Sequence, residues 1–183
     1  GSNLAFADVL KDAQDLGYAE ADPTFDVEGI DAAHKLTILS SIAFGVPLRF
    51  DAIYTEGISN ITAEDIGYAD ELGYAIRHLG ITRQSSKGVE LRVHPCLVPK
   101  THMLAQVNGV MNAVMVGADA AGPTMYYGAG AGSGPTASSV IADVIDIVRS
   151  NGADQVANLG YQPAELDDVQ ILNIDEVTGS AYL

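Results

Sequence analysis

Residues 13–35 read AQDLGYAEADPTFDVEGIDAAHK and run straight into LTILSSIAF, an apolar stretch that ends at Phe44. A run of carboxylates therefore stands ahead of a single lysine at the mouth of a core-forming helix. Asp22-Pro23 breaks the chain, and Asp26 stands where a helix N-cap belongs, with Glu28 in the first turn. The spacing predicts a helix from about Val27 to Phe44. At 100° per residue Asp31 and Lys35 share a flank with Ile38, Leu39 and Ile42, with Val27 at its edge, so Lys35 faces the core side. An ammonium there loses several kcal/mol of hydration unless a carboxylate accompanies it, and Asp31 is the nearest. The alternative is a solvated i,i+4 ion pair contributing roughly a few tenths of a kcal/mol.

Outward from this stretch, Leu4 to Leu16 carries apolar residues at helical spacing and closes on Gly17. Beyond Pro47, Phe50 to Ile58 reads equally as a short strand or a loop. Thr62 caps a short helix toward Leu72, which Gly73 ends. Strand patterns follow at Tyr74 to Thr82, Val89 to Pro95, Ala113 to Val116 and Thr124 to Tyr127, with Lys87-Gly88 as a hairpin turn. Ser138 to Arg149 is a third long helix, closing the core with Val140, Ile141, Val144, Ile145 and Val148. The sum is an α+β fold, a mixed and mostly antiparallel sheet covered by helices on one face. The other face is either polar or buried in a homodimer formed through the sheet. The alternation of Val89, Leu91 and Val93 shows one buried face without saying what covers it.

The 183 residues are 48% hydrophobic and 18% charged, enough for one sizeable core. Twenty-four acids against 9 bases give a formal charge of −15, which argues against nucleic acid or an anionic membrane as partner. Any phosphate group must then be held mainly by backbone amides. The single cysteine, Cys96, excludes an internal disulfide and fits a reducing, cytoplasmic setting. The uncharged run from Met103 to Ala118 is too short to span a bilayer, and that from Ala120 to Ala142 is broken by glycines, prolines and serines. Gly1-Ser2-Asn3 reads as an expression-tag remnant.

The second informative site is Gly128-Ala129-Gly130-Ala131-Gly132-Ser133-Gly134, followed by Pro135 at an expected first helical position. Free amides at a helix start make a seat for an anion or polar ligand, while glycine loops also serve mere close packing. No βαβ unit surrounds the loop, so it is not a Rossmann fingerprint. His94, Cys96 and His102 lack the spacing and the fourth ligand of a structural zinc site, and no metal is expected. His94 orders a strand end, and His34 has a surface or packing role.

Ala13, Gly17, Tyr18, Asp22-Pro23, Asp26, Gly29, Asp31 and Lys35 together resemble the signature of homoserine dehydrogenase. ELRVHPCLVPKTHMLAQVNGVMNAVMV at Glu90 to Val116 and YYGAGAGSGPTASSVIADVI at Tyr126 to Ile145 resemble the same family, in family order. The resemblance implies interconversion of L-homoserine and L-aspartate 4-semialdehyde with NADP or NAD, in threonine, methionine and isoleucine biosynthesis. It implies Lys35 as acid/base, Glu20 and Asp31 as substrate-binding carboxylates, Asp26 as structural support, Gly132 in contact with the cofactor, and pairing of two copies through this domain. By the same resemblance, residues 4–150 are the catalytic domain, 151–169 a linker and 170–183 the start of an ACT-type regulatory domain. The cofactor is then bound mainly by an N-terminal domain this chain lacks, and the chain alone is expected to be inactive. The rivals are the substrate domain of a related semialdehyde or dihydrodipicolinate reductase, and a non-catalytic dimerisation or ligand-sensing module.

Overall fold

The computed structural model describes residues 11, 14–15, 22–130, 132–150 and 169–178. Most of the helix expected over Leu4 to Leu16, as well as Glu20 and all but the last residue of the expected linker at 151–169, lies outside them. Lys11, Gln14 and Asp15 are helical. The fold is α+β, and the elements are α1 (Thr24–Val27), α2 (Ile30–Phe44), β1 (Tyr54–Thr55), α3 (Ala63–Glu71), β2 (Tyr74–Ser85), β3 (Gly88–Pro99), β4 (Met111–Ala118), β5 (Gly122–Ala129) and α4 (Ser133–Ser150). Short 3-10 turns stand at Phe50–Ala52, Met103–Gln106 and Ile174–Glu176.

Among the described residues the strands form two sheets, one mixed with parallel pairing and one antiparallel. One is three-stranded in the order β1-β3-β2, with β1 parallel to β3 through Tyr54 opposite Arg92 and Thr55 opposite Val93. The other is the antiparallel pair β4–β5, in register from Met111 opposite Ala129 to Ala118 opposite Gly122. A tight turn at Ser86–Lys87 joins β2 to β3, one residue ahead of the expected Lys87-Gly88, and Gly88 is already the first residue of the strand. The ambiguous segment at Phe50 to Ile58 divides into a 3-10 turn and the two-residue strand β1.

The chain divides into two compact units. The first takes its described residues from 62–77 and 97–150, together with 11 and 14–15. Its α3 opens on a capping box: the Asp65 amide donates to Thr62 Oγ1 at 3.1 Å, and the Thr62 amide donates to Asp65 Oδ2 at 2.9 Å. The Lys100 ammonium meets Asp70 Oδ1 at 2.5 Å, and the Lys100 amide donates to the Gly73 carbonyl at 2.9 Å. Helix α4 differs from expectation: no residue of it is buried, and Val140, Ile141, Val144, Ile145 and Val148 are all exposed. Helical period identifies an apolar stripe but not whether the same chain covers it.

The second unit takes 22–61, 78–96 and 169–178. Its core is Ala33 and Leu36 of α2, Val46, Ile53, and Val89, Leu91 and Val93 of β3. The alternating apolar face of β3 is thus the one that α2 covers. Residues 169–178 belong to this packing. The Val89 amide donates to the Gln170 carbonyl and the Leu172 amide to the Val89 carbonyl, both at 2.9 Å, while Val169 and Ile171 lie against the core.

Candidate functional site

The predicted helix from Val27 is two helices with a hinge between them. Pro23 and Asp22 start α1: Asp22 Oδ1 accepts the Thr24 amide at 3.1 Å and its hydroxyl at 2.6 Å. The Thr24 hydroxyl and amide hold the Asp22 carboxyl below its ordinary range. Asp26 makes no side-chain cap, contrary to expectation; it lies inside α1, and the residue at the N-cap of α2 is Gly29. Gly29 adopts φ 77°, a left-handed conformation that L side chains resist, and its carbonyl accepts the Ala33 amide at 2.9 Å.

Loop 56–59 clamps this hinge. The Ile58 amide donates to the Val27 carbonyl at 2.9 Å, and the Ser59 hydroxyl donates to Glu28 Oε1. A Cβ on Gly57 would come within 2.7 Å of the Val27 carbonyl oxygen and 2.8 Å of Glu28 Cα, so the two backbones lie flush. The loop is fixed in turn by the Glu56 amide, which donates to the Val93 carbonyl of β3 at 2.8 Å.

From α2 the Lys35 ammonium donates to Asp31 Oδ2 at 2.5 Å. The pairing expected from their spacing is present, but the inward orientation is not: the side chains are 68% and 47% exposed. The buried residues of α2 are Ala33, Leu36, Thr37 and Ser40, a different face, and Ile38 and Leu39 beside the ion pair are exposed. Lys35 keeps its hydration, and the pair is the solvated i,i+4 ion pair in this chain. On the same helix His34 packs edge-on to Phe50, ring centroids 4.4 Å apart, with Phe25 at 6.1 Å.

A polar row on β3 went unread in the sequence. Glu90, with its side chain 4% exposed, accepts from Arg83 Nε at 3.0 Å and Nη2 at 2.5 Å, and its Oε2 lies 3.4 Å from Arg92 Nε. Arg92 Nη1 stands 3.0 Å from His94 Nε2. Because a guanidinium only donates, Nε2 accepts, so the ring proton sits on Nδ1 and faces the Pro95 carbonyl at 2.9 Å. His94 therefore sits in mid-strand, since β3 continues to Pro99, and not at the strand end expected. Burial pushes the Cys96 thiol up, and the Glu56 carboxylate, which accepts from the Tyr54 hydroxyl at 3.0 Å, pushes that phenol up. His102 Nδ1 accepts the Leu104 amide and caps a 3-10 turn.

Gly132 lies in the other unit, at φ 117° just before α4, and its carbonyl accepts the Thr136 amide at 3.1 Å. The helix begins at Ser133, so Pro135 is its third residue and not its first. The first-turn amides consequently belong to Ser133 and Gly134. A Cβ on Gly128 or Gly134 would meet nothing within 4 Å, whereas one on Gly130 would strike the Asn112 side chain. The backbone is therefore open at Gly128 and Gly134 and covered by Asn112 at Gly130.

The family model described as homoserine dehydrogenase matches residues 1–145. The sequence is 62% identical over 181 residues to a homoserine dehydrogenase of Pseudomonas aeruginosa, spanning 97% of this chain and 42% of that protein. It is 60% identical over 182 residues to one of Neisseria gonorrhoeae, spanning 98% and 42%. Its structure is similar to that of a homoserine dehydrogenase from Thiobacillus denitrificans, with TM-score 0.88 and 59% identity over 96% of this chain and 42% of that one. A hyperthermophilic archaeal homoserine dehydrogenase mutant in complex with NADPH is similar at TM-score 0.59 and 26% identity, over 79% and 40%. The chain thus spans about two fifths of the length of these relatives.

Proposed function

The chain belongs to the homoserine dehydrogenase family, and from that premise we propose that it forms the substrate-binding and proton-transferring part of an enzyme interconverting L-homoserine and L-aspartate 4-semialdehyde, in threonine, methionine and isoleucine biosynthesis. The observation that carries the proposal is the Lys35–Asp31 pair at 2.5 Å, on a helix whose start is held by a glycine hinge. In the reducing direction the Lys35 ammonium gives its proton to the oxygen of the developing alkoxide and stabilises its charge; in the oxidising direction the amine takes the hydroxyl proton. Asp31 holds the ammonium and, with Glu20, receives the substrate's own ammonium and hydroxyl groups. A nicotinamide dinucleotide, NADP or NAD, supplies or takes the hydride. The backbone at Gly132 and the first amides of α4 are the groups this chain would offer it.

Lys35 is open to solvent here, so the walls that exclude water have to come from the length of the relatives that this chain does not span. On this reading the 183 residues alone are inactive, and residues 170–183 lead into a regulatory domain. The exposed strand residues Val114, Val116, Tyr126 and Tyr127 support pairing of two copies through the sheet. A cytoplasmic location suits this chemistry, and among the described residues no helix is long and apolar enough to cross a membrane.

The exposure of the ion pair is also what favours the rival, a non-catalytic dimerisation module in which the pair is only a surface salt bridge. Lys35→Ala in a protein of the relatives' full length that carries this segment separates the two. Loss of general acid catalysis lowers turnover by roughly 10²- to 10⁴-fold. Dimerisation and cofactor binding stay intact. Unchanged oxidation of homoserine by the variant would remove the catalytic assignment.

A further inference from the structure

His78 of β2 is half-buried, and no role in the proposed reaction attaches to it. Its Nε2 stands 2.9 Å from the Glu56 carbonyl oxygen. A carbonyl only accepts, so the ring carries its proton on Nε2 and donates. The same ring edge lies against Gly29: a Cβ at that glycine would fall 2.7 Å from His78 Cε1 and 3.0 Å from Nε2, with Val93 Cγ1 at 3.1 Å. Gly29 is buried, and the helix that begins on its carbonyl carries Asp31 two residues later and Lys35 one turn beyond.

We propose that His78 is a positioning residue for α2, tying loop 56–59 to the Gly29 hinge and so fixing where Asp31 and Lys35 are presented to substrate. The inference rests on the catalytic reading of Lys35. Two contacts support it, one by packing and one by hydrogen bond, and both meet at the ring. The packing sets how closely the hinge approaches the sheet. The hydrogen bond fixes the loop that clamps Val27 and Glu28. Because Glu56 is itself bonded to Val93 of β3, the ring links the hinge to the most deeply buried strand of this unit. A displacement of about 1 Å at reacting groups lowers turnover by as much as about 10²-fold, so partial loosening of the hinge has a measurable effect.

The test uses a protein of the relatives' full length that carries this segment. His78→Ala removes both contacts; His78→Gln retains a side-chain N–H able to reach the Glu56 carbonyl. The expected result is kcat lowered about tenfold and the homoserine KM raised in His78→Ala, with the dinucleotide KM and Kd within twofold of wild type. His78→Gln restores kcat to within about threefold of wild type. Should His78→Ala not fold, His78→Leu fills the space without reaching the carbonyl and takes its place with the same expectation. Wild-type kcat and homoserine KM in the alanine or leucine variant, or a glutamine variant no better than alanine, would overturn the proposal. If Lys35→Ala in the same background turns over normally, the catalytic reading itself has failed. If Lys35→Ala is dead while the His78 variants are unimpaired, only the positioning role has failed.

Discussion

Gly29→Ala tests whether the hinge before α2 is held by shape as well as by backbone conformation. Any L-residue at φ 77° costs about 1–2 kcal/mol relative to glycine. That much is shared with Gly73, which adopts φ 83° after α3 and has nothing within 4 Å of an added Cβ. At Gly29 the same methyl also falls 2.7 Å and 3.0 Å from His78 and 3.1 Å from Val93. Forcing a methyl into filled space adds about 1–3 kcal/mol. Gly73→Ala should therefore cost about 1.5 kcal/mol and Gly29→Ala about 3.5 kcal/mol, a difference of roughly 30-fold in an opening equilibrium. Because the chain divides into two compact units, one global midpoint would mix their responses. Amide hydrogen exchange read separately over residues 30–44 and 63–72 keeps them apart. The steric part is further isolated by combining Gly29→Ala with His78→Ala, which removes two of the three close contacts. In that background the glycine substitution should cost about 1–2 kcal/mol less than it does alone. Equal losses at Gly29 and Gly73, or strict additivity with His78→Ala, would refute the packing of ring against hinge.

Gly88→Ala should detach residues 169–172 from β3, since its Cβ would strike the Gln170 carbonyl oxygen and lie 3.1 Å from Leu172 Cδ2. Limited proteolysis should cut there faster than in the wild type, while exchange over α2 changes little; unchanged cleavage would refute the docking. Asp22, Asp51, Asp65 and Asp70 are each held below the ordinary carboxylate range, chiefly by hydrogen bonds from Thr24, Arg49, Thr62 and Lys100 respectively. A depressed carboxylate stabilises the fold above its unfolded pKa and loses that contribution as pH falls through its folded value. The urea midpoint should hold steady down to about pH 4 and decline below it, and a midpoint that rises on acidification would contradict these bonds.

Local chemistry was legible where one residue type suffices. Thr62 with Asp65, Gly73 after α3 and the alternation of Val89, Leu91 and Val93 all appear as read, and the hairpin turn falls one residue ahead of Lys87-Gly88. Strand ends were placed too short because Ala118 and Gly122 sit inside the β4–β5 ladder although neither favours a strand; the pairing overrides their propensity. The hinge was missed because Asp26 satisfies the N-cap preference on paper, while Gly29 three residues later ends one helix and begins another. His78 and Ser59 gave no signal at all. Their partners, the Glu56 carbonyl and the Glu28 carboxylate, are distant in sequence, and such contacts have no period to detect.

The face of α2 could have been assigned differently from the same letters. Ile30, Ala33, Leu36, Ile38, Leu39 and Ile42 place apolar groups almost all round the helix, so hydrophobicity alone chooses no side. Size does choose. Ala33 and Ser40 are fully buried and Thr37 nearly so, and its hydroxyl turns back to the Ala33 carbonyl at 2.8 Å. Across from them Gly80 of β2 leaves room for Leu36, whose Cδ1 lies 3.6 Å from where a Cβ would be. Small residues let the helix axis approach the sheet, and the bulkier Ile38 and Leu39 are turned to the opposite side. Ile38 and Leu39 are 54% and 44% exposed, so leaving them there forgoes roughly 1 kcal/mol each, about half of a full burial. On the catalytic reading that flank, with Asp31 and Lys35 at its end, is the apolar wall an amino-alcohol would lie against. The face that meets the sheet is then Ala33, Thr37 and Ser40 around the single large residue Leu36.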